Sequence, residues 1–219
     1  GLAFMNSMLV KYCQYAKYEN VRVTIPRTVV VATDYFDAFI RNNGLEYVLT
    51  TEMTDEEILS EFVSSTLPYK LREALKAYVR TVSGPLAVRS SSKLEDSHYQ
   101  PFAGIYSTYM IPYTEGNEDR QLRLLQKAIK SVYASTYFAA SKAYVQSSQN
   151  LIAEEKMAVV IQEVCGTEQD GLFFPTCSGV ARSINYYPIG DEQPADGVCN
   201  VAMGLGKLVV DGGRTLRFS

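Results

Sequence analysis

An α+β fold is the class this sequence predicts, and three observations carry it. Helical and strand-like segments follow one another without a steady strand–helix–strand rhythm, which argues against a doubly wound parallel sheet. A β-branched run, Thr28 to Thr33, sits beside segments with strong helical periodicity. Capping and breaking residues separate them at Thr54–Glu57, Gly84-Pro85 and Asn117.

The elements follow in order. Residues 2–17 are apolar with scattered polar positions and read as a first helix. Thr28–Thr33 reads as a buried strand behind Pro26. Thr33 or Asp34 then caps a helix carrying Tyr35, Phe36, Phe39 and Ile40, which Asn43-Gly44 ends. Thr54-Asp-Glu-Glu57 forms a capping box before the next helix. Pro68 opens another, with Leu71, Leu75 and Val79 at helical spacing. Pro85 to Ser91 reads as a strand running into a polar loop. Lys93–Gly104 is loop-like and Gly104–Tyr113 strand-like. Asn117 caps the longest helix, with Glu118 and Asp119 in its first turn. Leu122, Leu125, Ile129, Val132, Thr136, Ala139 and Ala143 share one face of it. Strands follow at Lys156–Cys165, Phe173–Tyr187 and Val198–Met203, the last running into Gly204-Leu-Gly206. The weakest seam is Ser147–Glu155, so the expected division is residues 1–150 and 151–219.

The chain has 219 residues, 47% of them hydrophobic, enough for one large domain or two small lobes with real cores. A net charge of −3 gives no bulk attraction to nucleic acid or to an anionic membrane surface. A phosphate site here must be a local cluster of cations and amides. No apolar run approaches the roughly 20 residues that cross a bilayer. The cysteines, Cys13, Cys165, Cys177 and Cys199, include no CxxC pair, so zinc is not expected and reduced thiols in a cytoplasmic protein are. The one histidine, His98, excludes any two-histidine site. Nothing near it resembles a base with an orienting partner, so it reads as a surface loop residue.

Three segments could carry chemistry. In Ala87-Val-Arg-Ser-Ser-Ser92, a guanidinium fork at a strand end matches phosphate oxygens, and Ser90, Ser91 and freed loop amides add donors. The same residues also suit a plainer role, with Arg89 bridging to Glu95 or Asp96. In Gly204-Leu-Gly-Lys-Leu-Val-Val-Asp-Gly-Gly213, Gly204 and Gly206 let a ligand approach the backbone, although the spacing fits neither common nucleotide-loop pattern and a plain strand-to-turn junction explains it as well. In Lys156–Val164, the polar end Gln162-Glu163-Val164 could pair with an adenine, or could close an ordinary core strand.

Taken together, these blocks resemble the nucleotide-binding domain of the phosphoenolpyruvate synthase and pyruvate phosphate dikinase family. The resemblance runs through Pro85–Asp96, Phe102-Ala-Gly104 and Tyr106–Tyr109. It resumes at Val160-Ile-Gln-Glu-Val164, Ser178-Gly-Val-Ala181 and Gly204-Leu-Gly206, in the family's order, and Ile25-Pro26 to Ile40 also resembles a family segment. It implies an ATP-grasp-like fold of two lobes with ATP between them. It implies that Arg89 contacts phosphates, that Gln162–Val164 faces adenine, and that the glycine turn lies near phosphates and Mg2+. Other domains of the same polypeptide, one bearing a phosphohistidine and one binding the acceptor, are the implied partners.

The chain departs from the family pattern in places. It starts near where the family carries a lysine-bearing glycine loop and ends before the family's metal-binding acids, so a partial domain is expected. Lys207 stands where the family has an acid, and Arg182 where it more often has an apolar residue. The reading is the ATP-binding part of a dikinase-type phosphotransferase. The alternative is a degenerate nucleotide-binding or regulatory module.

Overall fold

The computed structural model describes residues 2–12, 19–92, 106–147, 155–210 and 213–219. It is α+β, and contacts divide it into two compact units, Gly1–Val164 and Cys165–Ser219. The seam expected at Ser147–Glu155 is not where the contacts divide. The strand that follows it is interior to the first unit's sheet, which carries the boundary past Val164.

In the first unit, helix α1 (Leu2–Lys11) buries none of its residues. Strand β1 (Thr28–Val31) leads into helix α2 (Thr33–Asn43). Neither Thr33 nor Asp34 caps α2: the cap position is Ala32, which makes no side-chain bond. The far end follows expectation, with Gly44 left-handed at φ 63° and its N–H on Arg41 O and Ile40 O. Helix α3 (Asp55–Ser64) begins with the full Thr54–Glu57 capping box. Helix α4 (Tyr69–Val79) follows Pro68 and buries Leu71, Leu75 and Val79.

Helix α5 (Glu118–Ser135) is capped by Asn117, whose Oδ1 accepts from the Arg120 N–H at 2.9 Å. The single face expected through Ala143 breaks after Ser135, and helix α6 (Ala139–Ser147) starts afresh. Two causes are visible. Tyr137 turns into the core against Phe36 and Phe62, and Asp55 Oδ1 accepts the Ala139 N–H at 2.8 Å.

Strands β2 (Leu86–Ser92), β3 (Tyr109–Ile111) and β4 (Met157–Glu163) join β1 in an antiparallel sheet of order β1-β4-β2-β3. Helices α2 and α5 pack on one face of it. The core there holds Phe36, Phe39, Phe62, Leu86, Val88, Leu125, Ile129, Tyr133, Val159 and Ile161.

In the second unit, the expected strand Phe173–Tyr187 is two strands. Hairpin β5 (Thr167–Gln169) and β6 (Leu172–Phe174) stops at Pro175, which has no N–H to donate. Strand β7 (Cys177–Arg182) then pairs with β8 (Val198–Met203). Helix α7 (Lys207–Val210) follows, and β9 (Leu216–Phe218), absent from the expectation, adds to β8.

Candidate functional site

Strand period decides which candidates in the first unit can act together. Residues directly opposite in an antiparallel pair share a face. Val88, Val159 and Ile161 face the helices and are buried. Arg89 stands opposite Val160, Ser91 opposite Ala158, and Gln162 opposite both Ala87 and Thr28. Arg89, Ser91 and Gln162 therefore share the other face. That face is open: Val30 is 61% exposed and Met110 59%. Ser90 and Glu163 fall on the helix side of the alternation.

The strand expected over Pro85–Ser91 is present, but Arg89 lies inside it and not at its end. β2 continues as strand through Ser92, in register with Met157. Ser90 and Ser91 stand in strand, opposite Val159 and Ala158 of β4, and not in a loop. What this segment offers on the open face is the Arg89 guanidinium and the Ser91 hydroxyl. Arg89 is exposed, and among the described residues it forms no ion pair or hydrogen bond. Glu95, Asp96, His98 and the Phe102–Gly104 block lie outside the described residues.

The polar end of β4 is tightly tied. Gln162 Nε2 donates to Thr28 Oγ1 at 2.9 Å, and Thr28 Oγ1 donates to Pro26 O at 2.9 Å. The Glu163 N–H donates to Arg27 O at 3.0 Å and the Val164 N–H to Pro85 O at 2.9 Å. Both amides that an adenine could have used at this strand end are thus engaged by the protein itself. The Glu163 carboxylate stands 3.6 Å from the Arg27 guanidinium. Sequence reasoning passed over Thr28, Arg27 and Tyr78 as neighbours of this end. Pro26 beside a strand start was the one available signal, since the pairing of β1 with β4 is not local.

In the second unit, Gly204 and Gly206 form a turn at the end of β8. Gly204 is left-handed at φ +71°. Its N–H donates to Thr176 O at 3.0 Å, and its carbonyl accepts from Ser178 Oγ at 2.7 Å. A Cβ on Gly206 would stand 3.0 Å from the Ser178 Cβ, and one on Gly179 would stand 2.7 Å from Asn200 O. The Ser178–Ala181 and Gly204–Gly206 blocks are therefore two sides of one packed junction. The glycines serve close backbone approach there.

Arg182 lines a cavity of about 410 Å³ together with Asn185, Tyr187, Asn200 and Arg217. Arg217 is fully engaged: it donates to both oxygens of Glu192, to Asn185 Oδ1 at 3.3 Å and to Tyr187 O at 3.2 Å. The Arg217 guanidinium, first of all, holds the Glu192 carboxyl well below the usual carboxylate range, aided by the Ile189 N–H.

Among the described residues no group of three or more His, Cys, Asp or Glu stands together to hold a metal. Lys207 brings no carboxylate to the glycine turn, so these residues do not make up a magnesium site. Cys165, Cys177 and Cys199 are free thiols. No described helix is long and apolar enough to cross a membrane.

Comparison with known proteins gives a concordant result. Residues 6–216 match the family profile described as the AMP/ATP-binding domain of pyruvate phosphate dikinase. The chain is 29% identical over 198 residues to the uncharacterized phosphotransferase YvkC of Bacillus subtilis strain 168, covering 87% of the chain and 20% of that protein. It is 27% identical over 212 residues to the phosphoenolpyruvate synthase of Aeropyrum pernix, covering 87% of the chain and 24% of that protein. The chain thus spans between a fifth and a quarter of the length of these curated relatives.

Proposed function

Because the chain belongs to the family of the AMP/ATP-binding domain of pyruvate phosphate dikinase, we propose that it is the ATP-binding part of a dikinase-type phosphotransferase, with an ATP-grasp-like arrangement of two lobes. The observation that carries this reading is the placement of Arg89. It is a cation on an open sheet face, without a protein partner among the described residues, beside Ser91 and diagonal to Gln162.

The chemistry this asks of the chain is positioning and charge. A guanidinium fork binds two phosphate oxygens at once and holds them in one orientation. Ser91 adds a hydroxyl donor on the same face, and the end of β4 would meet the base. Magnesium, which neutralises phosphate charge when bound, would take its carboxylate ligands from elsewhere than the described residues. Transfer would pass from ATP to a histidine in another domain and on to pyruvate or another acceptor, and His98 would take no part. One curated relative is named a phosphotransferase and the other a phosphoenolpyruvate synthase, which supports this reading.

Lys207 favours a second reading, in which the chain binds nucleotide as a regulatory module without transfer. One experiment separates the two. The intact protein is incubated with ATP labelled at the β-phosphate, and the labelled peptide is mapped. Label on a histidine outside residues 1–219 supports the dikinase reading. Label on the His98 peptide contradicts it. Bound ATP with no labelled histidine selects the module.

A further inference from the structure

The end of β4 is anchored on both sides and carries an unusual polar vacancy. Arg27 Nη1 donates to Thr81 O at 2.6 Å, just past the end of α4. The same nitrogen is 3.6 Å from Glu163 Oε1, close enough for charge attraction but beyond a hydrogen bond. Glu163 Oε1 is buried and has no hydrogen-bond partner, and the same holds for the Tyr78 hydroxyl on α4. The two are electrostatic neighbours. Burial first, then the Glu163 charge, pushes the Tyr78 hydroxyl up to about 12, against the lowering effect of Arg27. A phenol held this way is a committed proton donor at neutral pH, and a carboxylate oxygen can accept from it.

A buried donor and a buried acceptor that both lack a hydrogen bond are costly, because each has lost water without gaining a hydrogen bond in return. The strand end has a matching deficit toward a ligand. A purine carrying an exocyclic amine needs both an acceptor and a donor from a backbone edge. The Glu163 and Val164 amides are already spent on Arg27 O and Pro85 O. Freeing an amide for a base requires the end of β4 to shift away from Pro85.

We propose that Arg27, Tyr78 and Glu163 form a clamp that closes as an adenine base docks on the end of β4. The shift that releases the Val164 amide carries the Glu163 carboxylate onto the Tyr78 hydroxyl and the Arg27 guanidinium. The hydrogen bonds gained there offset the one lost to Pro85. The clamp rests on the nucleotide reading given above. Arg27 and Tyr78 are positioning residues, since they act on the strand and not on the base. The clamp confers base affinity and leaves phosphate affinity alone, because Arg89 and Ser91 stand farther along the sheet, opposite Val160 and Ala158.

The test is calorimetric titration of the intact protein with ATP and, separately, with inorganic tripolyphosphate, alongside the melting temperature without ligand. Tyr78→Phe deletes only the unpaired hydroxyl. The expected result is an ATP affinity lower by roughly tenfold, the scale of one hydrogen bond to a charged group. Tripolyphosphate affinity should be unchanged and the unliganded melting temperature equal or higher. Glu163→Gln should move ATP affinity in the same direction. An unchanged ATP affinity in Tyr78→Phe overturns the clamp. Equal losses for both ligands together with a lower melting temperature overturn it too, by making Tyr78 a general structural residue. A wild-type protein that binds neither ligand overturns the nucleotide reading and the clamp with it. Wild-type binding with indifferent variants removes the clamp alone.

Discussion

Arg89 and Gln162 project from the same face of the four-stranded sheet, on neighbouring antiparallel strands and two positions apart in register: Ala87 stands opposite Gln162, and Val160 opposite Arg89. Such diagonal neighbours lie about 7–8 Å apart at Cα. A cation proposed to bind phosphate and a polar group proposed to stand near the base, at that offset and on the face away from the helices, suit an elongated ligand laid along the sheet.

The 219-residue chain alone should not turn over ATP. Lys207 supplies no acid at the glycine turn, and the described residues hold no carboxylate cluster for a metal. Purified chain incubated with ATP and Mg2+ should release no AMP or phosphate above an Arg89→Ala control. Release by wild type and not by that control would contradict this.

Gly179→Ala should destabilise the second unit. The new methyl would stand 2.7 Å from the Asn200 carbonyl oxygen, a backbone atom of the paired strand that cannot rotate aside. The expected loss is about 1–3 kcal/mol, visible as reduced hydrogen-exchange protection in β7 and β8. Unchanged protection there would show that the junction yields freely.

Thr54→Ala should weaken the start of α3. It removes the hydroxyl that accepts the Glu57 N–H at 3.2 Å. A loss of about 1 kcal/mol is expected from caps of this type. Chemical denaturation of the variant against wild type reads it. Thr54→Ser, which keeps the oxygen, should recover most of it.

Acid should loosen the second unit through Glu192. The Arg217 guanidinium, followed by the Ile189 N–H, lowers the folded-state value of this carboxyl from 4.5. A depressed folded value means the unfolded chain binds the proton first. The stabilisation is therefore whole above the unfolded value, and falls away as pH drops below it toward the folded one. Local protection of β8 and β9 should decline on acidification below pH about 4.5. Glu192→Gln should start lower and lose its share of that acid dependence.

Much of the fold was legible because its signals are local. The Thr54 capping box, the Asn117 cap, the Gly44 stop and the Leu71/Leu75/Val79 stripe each depend on residues within one or two turns, and each stands where the spacing placed it. The breaks were less legible. Ser135 ends α5 because Tyr137 finds aromatic partners on α2 and α3, and Asp55 caps α6 from 84 positions away. Pro175 could have divided the strand expected at Phe173–Tyr187, and its weight was missed. For the candidate site, Arg89 and Gln162 were legible as residue types, but their sharing a face was not. That depends on β4 entering between β1 and β2, a pairing between distant segments. That Arg89 lies inside β2 and not at its end has the same origin, since the pairing with β4 runs on to Ser92 opposite Met157.

The central claim is that Arg89 on the open sheet face binds the phosphates of ATP, and calorimetric titration of ATP into the intact protein and its Arg89→Ala and Arg89→Lys variants tests it most directly. Loss of the charge-assisted fork should weaken binding by on the order of 2–3 kcal/mol, roughly 30- to 150-fold in Kd. Lysine should restore little of it, because an ammonium lacks the fork. The unliganded melting temperature should hardly move, because Arg89 has no partner to lose among the described residues. An Arg89→Ala variant that binds ATP as wild type does would contradict the account, and would return Arg89 to a surface residue of β2.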